Sequence, residues 1–272
     1  MVPTKTRLSP IQESKASSSS GSFPPLTLGL IGAHMFFAAI VLLSGAAAYG
    51  FCQGENGYLE TMAFYGVYHS DPMNQLIHFF FVPCILWSMI IMMAHAPLLP
   101  VSISLLPGIP THLFSWASVA LCLYVVFYLT IDILGAMIYF PVLYAMYWTS
   151  VSMYQADQKQ SSSTSWTGTG RLVKRALLLH LAGWYFQIHP GHKVFEGSQP
   201  AIMQSLGGAL TAAPLFAFYE GVWALGIRRD LQQTVLVRVD ELRHDLCAQG
   251  VQMRKCPAPS IDADIKTTKV EL

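Results

Sequence analysis

Long apolar runs alternate with short polar breaks over most of this chain. The apolar stretches lie at about 28–50, 76–95, 113–131, 133–153, 172–187 and 203–225. A helix needs about 20 apolar residues to cross the hydrocarbon core of a bilayer, and about 17 is a working minimum. Most of the runs qualify, although 172–187 is short and carries Lys174, Arg175 and His180. The stretch 113–153 is about twice the length of one span, which predicts a hairpin turning near Asp132–Gly135. The runs are continuous and lack period-two alternation, so they predict helices rather than strands. The expected fold is therefore all-α: a polytopic transmembrane helical bundle of about six spans, or five if the first is cleaved. Basic residues precede the first run, and Ala46-Ala47-Ala48 resembles a signal-peptide cleavage site. That run exceeds the usual length of a signal peptide's apolar region, so a retained anchor is the expectation.

The flanks differ from this core. Residues 1–25 are rich in Ser, Lys and Pro and predict a disordered tail. The transmembrane domain is expected over 26–226, followed by a cytosolic amphipathic helix and tail over 227–272. Within that last segment Leu231, Val235, Val239, Leu242 and Leu246 recur every three or four residues, the spacing of one apolar helix face. Basic residues orient a multi-span chain because they stay on the cytosolic side. With six spans and a cytosolic N-terminus, of the 16 Lys and Arg only Lys193 falls on the opposite face. The final Lys269-Val270-Glu271-Leu272 resembles an endoplasmic-reticulum retrieval signal, which is read in the lumen. The charge bias places the tail in the cytosol and is given precedence.

Composition strengthens the membrane reading. The chain is 53% hydrophobic and 11% charged, with a mean hydropathy of +0.43; soluble domains carry about 25% charged residues. A net charge of +1 offers no basic surface for nucleic acid. The five cysteines are scattered and form no zinc-binding pair, so a disulfide framework is not expected.

Two polar constellations interrupt the apolar background. The first runs from Tyr68-His69 through Ser70-Asp71-Pro72 to Asn74-Gln75 and His78. Ser70 or Asp71 can cap a helix that starts at Pro72, and Asn74 and His78 then share one face. The second runs from His180 through Gln187, His189, Gly191 and His192 to Glu196. An ionisable residue inside a span is costly, which makes His180 a candidate for a role. The six-span arrangement puts both constellations, and Asp132, at the non-cytosolic end of the bundle. His69, His78, His180 and His192 could together hold iron or zinc and leave room for a substrate. The bland alternative is that these are interfacial histidines bonded to headgroups or carbonyls. His34, His95, His112 and His244 take that bland reading.

At these segments the chain resembles the 2-hydroxy fatty acid dioxygenases, endoplasmic-reticulum proteins of phytosphingosine breakdown. The first signature is Tyr68-His69 … Asn74-Gln75 … His78 … Pro83. The second is His180 … Trp184 … Gln187 … Gly191-His192 … Phe195-Glu196 … Pro200-Ala201, then Leu210 … Ala213-Pro214 … Glu220. The resemblance covers about 60–225. Ile188-His189-Pro190 makes the second signature one residue longer than the family's form. What the resemblance implies is an iron(II)-dependent α-oxidation in which a 2-hydroxy fatty acid reacts with dioxygen and loses its carboxyl carbon. It implies His69, His78, His180 and His192 as iron ligands. Asn74, Gln187 and Glu196 are then candidates to orient the imidazoles. Lys193 could attract the substrate carboxylate, or simply be solvated. Two rivals remain at this level: a zinc-dependent lipid hydrolase on the same scaffold, and a non-enzymatic membrane protein that binds or transports lipid.

Overall fold

The computed structural model describes residues 28–52, 57–103, 112–160, 170–198, 210–251, 253 and 256. The expected N-terminal tail over 1–25 and the Lys269–Leu272 motif lie outside the described residues. Helices dominate. They are α1 (Leu28–Cys52), α2 (Gly57–Val67), α3 (Pro72–Ala94), α4 (Trp116–Ile131), α5 (Ile133–Gln160) and α6 (Arg171–Phe186). A π-helix (Gln187–Glu196) continues α6, and α7 (Ala213–Ala224) and α8 (Arg229–Ala248) follow.

Several sequence expectations are met at residue level. Asp71 caps α3, its carboxylate accepting from the Met73 and Asn74 amides, with Pro72 in the first position. The long apolar run breaks at Asp132, between α4 and α5. The amphipathic helix forms as α8 and buries Val235 and Val239.

Three features depart from expectation. The fold is not purely helical, because β1 (Pro97–Ile103) and β2 (His112–Ser115) pair antiparallel between α3 and α4. Pro97 and Pro100 oppose helix there, while Val101 and Ile103 suit an extended chain. Second, Cys247 and Cys256 are joined in a disulfide. Scatter along the whole chain hid one local pair, nine residues apart just past the apolar core.

The third departure concerns where the chain goes after the sixth apolar run, of which 203–209 lie outside the described residues. Within the rest of that run, helix α7 spans 12 residues. It starts beside the middle of α4, where Tyr124 and Tyr128 donate to the Leu210 and Thr211 carbonyls. It ends at the tip of the α4–α5 turn, where Tyr219 and Arg228 both bond Asp132. Helix α8 then lies along α2. Arg238 pairs with Glu60, Arg243 donates to Ser70 Oγ, and a Cβ on Gly66 would sit 2.6 Å from Val239. The chain after α7 therefore returns to the end of the bundle that holds Ser70 and Asp132. The six-span arrangement expected it at the opposite end.

Helix α3 is the central element, packed against α4, α5, α6, the π-helix and α7. Among the described residues three helices are long and apolar enough to cross a membrane: Leu28–Ala46, Pro72–Ala94 and Ile133–Gln158. Their outer faces are apolar and exposed, as at Leu42 (73%), Met137 (64%) and, on α4, Val126 (61%). An apolar belt of this extent on an outer surface suits lipid rather than water.

Candidate metal centre

Three of the four expected histidines converge. His69 sits in the turn between α2 and α3, His78 lies on the second turn of α3, and His192 comes from the π-helix. Their ring centroids are 4.3, 4.8 and 4.9 Å apart, with the planes close to mutually perpendicular. One ligand atom from each lies within 4.8 Å of the others, and all three residues are buried.

Backbone carbonyls set the tautomers. His69 Nδ1 faces the Tyr65 carbonyl at 2.7 Å, and His78 Nδ1 faces the Asn74 carbonyl at 2.9 Å. A carbonyl only accepts, so each Nδ1 carries the proton and each Nε2 keeps its lone pair. His69 Nε2 and His192 Nδ1 are buried without a hydrogen-bond partner. Burial holds the His69 imidazole well below its usual value, and His78 and His192 push it the same way against the Tyr65 carbonyl. Burial, with His78 beside it, lowers His192 to about 3. These two imidazoles are thus neutral at physiological pH. Neutral imidazoles with free lone pairs, facing one another in a buried space, fit a transition-metal ion.

The two signatures are joined by Glu196. Its carboxylate accepts from the Ser70 amide (3.0 Å), the Asp71 amide (2.8 Å) and Asn74 Nδ2 (3.0 Å). Asn74 also donates to the Tyr68 carbonyl. Glu196 therefore grips the turn that carries His69, rather than an imidazole. Gly191 is required by close approach, since a Cβ there would lie 2.6 Å from Asn74 Oδ1. The π-helix, whose turns are wider than those of an α-helix, carries the Gln187–Glu196 stretch of the second signature. It turns Gln187, His192 and Glu196 inward and leaves His189 exposed, stacked on Tyr185.

His180 stands apart from the triad. Its Nε2 accepts from Trp184 Nε1 at 3.0 Å, and its Nδ1 lies 3.1 Å from Ser88 Oγ and 3.2 Å from the Ile85 carbonyl. Both ring nitrogens are engaged, Nε2 by Trp184 on the same helix and Nδ1 by the α3 groups that fasten α6 to α3. Gln187 is buried with its Nε2 unpartnered, and Lys193 is exposed. Sequence reasoning missed Tyr65, whose ring stacks on His69 at 3.7 Å. Its position four residues before His69 on a helix was the available signal. A cavity of about 740 Å³ runs from His69, His78, Gln187 and His192 into the apolar interior, and His180 lines its wall.

The model of the 2-hydroxy-palmitic acid dioxygenase Mpo1-like family matches residues 56–223. The chain belongs to this family. A curated relative, the 2-hydroxy-palmitic acid dioxygenase MPO1 of Saccharomyces cerevisiae, is 31% identical over 187 residues, covering 69% of this chain and 88% of that protein. No solved structure matches. The family match spans both signatures and all three converging histidines, and it stops before α8.

Proposed function

We propose that this protein is an iron(II)-dependent membrane dioxygenase that shortens 2-hydroxy fatty acids by one carbon, as in phytosphingosine breakdown. The observation that carries the reading is the buried histidine triad at one end of a largely apolar cavity, in a chain of this family. His69, His78 and His192 would hold the iron. Bound there, iron would supply the redox chemistry that lets dioxygen react with a 2-hydroxy acid. The protein's own residues supply the rest. The apolar walls take the acyl chain and exclude water, so the carboxylate and hydroxyl stay at the histidine end. The unpartnered Gln187 Nε2 donates a hydrogen bond to that polar head. The Tyr65 and Asn74 carbonyls keep two imidazoles in the ligating tautomer, and Glu196 fixes the turn between them. His180 acts through packing.

The test is product analysis. Iron-loaded protein, given 2-hydroxypalmitate and oxygen, is expected to form pentadecanoate and to consume oxygen. Palmitate, which lacks the hydroxyl, should give neither. Iron bound without any shortened product would contradict the reading.

The same reading extends to the membrane. In it α1, α3, α4, α5 and α6 cross, and α7 runs from beside the middle of α4 to the site end. Arg171, Lys174 and Arg175, exposed at the start of α6, mark the far end as cytosolic. At the site end Arg228, Arg238 and Arg243 are neutralised by Asp132, Glu60 and Asp240. The Cys247–Cys256 disulfide calls for an oxidising compartment on that side. The site end then faces the lumen of the endoplasmic reticulum.

A further inference from the structure

We propose that α3 is a ruler for the substrate's acyl chain, with Met93 and Ala120 closing its far end. The inference rests on the fatty-acid reading above and names the residues that would set chain length. His78, Val82, Leu86, Ile90 and Met93 follow one another at three or four residues along α3, and all line the cavity. The helix face that presents a candidate metal ligand thus continues as one unbroken apolar wall. From His78 to Met93 it runs about 22 Å at about 1.5 Å per residue. With C–C bonds of about 1.5 Å in a zigzag, the chain of 2-hydroxypalmitate extends roughly 19 Å. The lengths match only if the polar head stays at the histidines and the chain lies parallel to α3.

The far end is a floor rather than a mouth. Met93 and Ala120 are almost fully buried (3% and 5% exposed). Directly beyond them Ala94, Ala96, Ser115 and Ala117 are completely buried, where the β1–β2 hairpin crosses below α3 and α4. Among the described residues the opening lies in the side wall instead, between α1 and α4, where the lining residues Tyr49, Leu123 and Val126 are exposed on the apolar belt. A fatty acid can therefore slide in from the bilayer and come to rest against a closed base. A small residue at 120 leaves room for the last carbons, whereas a larger one would fill their place.

The experiment offers the wild type, Ala120→Phe and Met93→Ala a ladder of saturated 2-hydroxy acids, singly and in competition, and reads the shortened products. Ala120→Phe is expected to lower the ratio of product from 2-hydroxypalmitate to product from 2-hydroxylaurate at least tenfold. Met93→Ala should shift preference the other way, toward longer acids. A second reading uses plain fatty acids of graded length displacing a fluorescent fatty acid, and it is expected to shift in parallel. This measurement needs no turnover, so it separates the ruler from the dioxygenase activity. If neither variant changes the length preference in binding or in product, or if both depress all lengths alike, the ruler is wrong. If wild type turns over no 2-hydroxy acid while the binding preference still shifts, the ruler stands and the reaction assignment falls. Should Ala120→Phe fail to fold, Met93→Ala decides alone: an unshifted preference overturns the proposal.

Discussion

At residue scale the site depends on few groups, each with a geometric reason. Three donors converge on Glu196, which accepts from two backbone amides and one side-chain amide. Glu196→Gln removes the charge and turns one oxygen into a donor facing other donors. A buried polar mismatch of this kind costs about 1–3 kcal/mol, so a lower unfolding midpoint is expected, together with weaker iron binding in a metal titration. Gly191→Ala should act more sharply on iron binding than on stability, because its Cβ would press on Asn74, whose carbonyl orients His78. The histidines also make stability depend on pH. His69 and His192 are depressed in the folded state, so the unfolded chain takes up protons near its ordinary value of about 6.5 that the folded chain refuses. Stability is therefore full above that value and is lost as pH falls from there toward about 3. Metal-free protein should melt at progressively lower temperature over that range, and His192→Asn should flatten the slope. The histidines were legible in the sequence as residue types at telling positions. That three of the four converge while His180 stands apart was not, because it hangs on where Trp184 and Ser88 point.

At the scale of elements, local chemistry was read well and long-range bonding was not. The Asp71–Pro72 start of α3 and the apolar face of α8 are written in short spacings. The π-helix is not, since no short spacing between Gln187 and His192 sets its wide turn apart from an α-helical one. Nor is the course of the chain after α7, which returns to the end of the bundle that holds Asp132. The pairing of α3 with α6 illustrates the difference. His180 looks like a ligand by type and position, yet it bonds Trp184 on its own helix and Ser88 across the interface. His180→Ala strands the Trp184 indole N–H, whereas Ser88 keeps its bond to the Ile85 carbonyl, so it should destabilise the protein by about 1–3 kcal/mol. Calorimetry in detergent would show this, while the purified variant keeps the iron content of the wild type. Loss of iron with unchanged stability would instead make His180 a ligand.

At the scale of the whole molecule, the decisive contacts are those that bring the end of the chain back to the site. Arg228 with Asp132, Arg238 with Glu60 and Arg243 with Ser70 tie α7 and α8 to the end that carries the triad. Counting basic residues could not foresee this, because several of them are paired with acids rather than marking a face. The resulting topology predicts sidedness. Single cysteines placed at Arg175 in sealed microsomes should label from the cytosolic side, and Cys247 and Cys256 should label only after the membrane is opened and the disulfide reduced. Labelling of both sites from one side would overturn the arrangement.

The central claim is that His69, His78 and His192 hold one iron at the head of the acyl cavity. The most direct measurement is iron bound per chain, with pentadecanoate formed from 2-hydroxypalmitate in the same preparation, for wild type and single alanine variants at 69, 78, 180 and 192. The account expects one iron and product in wild type, loss of both at 69, 78 and 192, and retention of iron at 180. Full iron binding in all three triad variants, or product formed without iron, would contradict it.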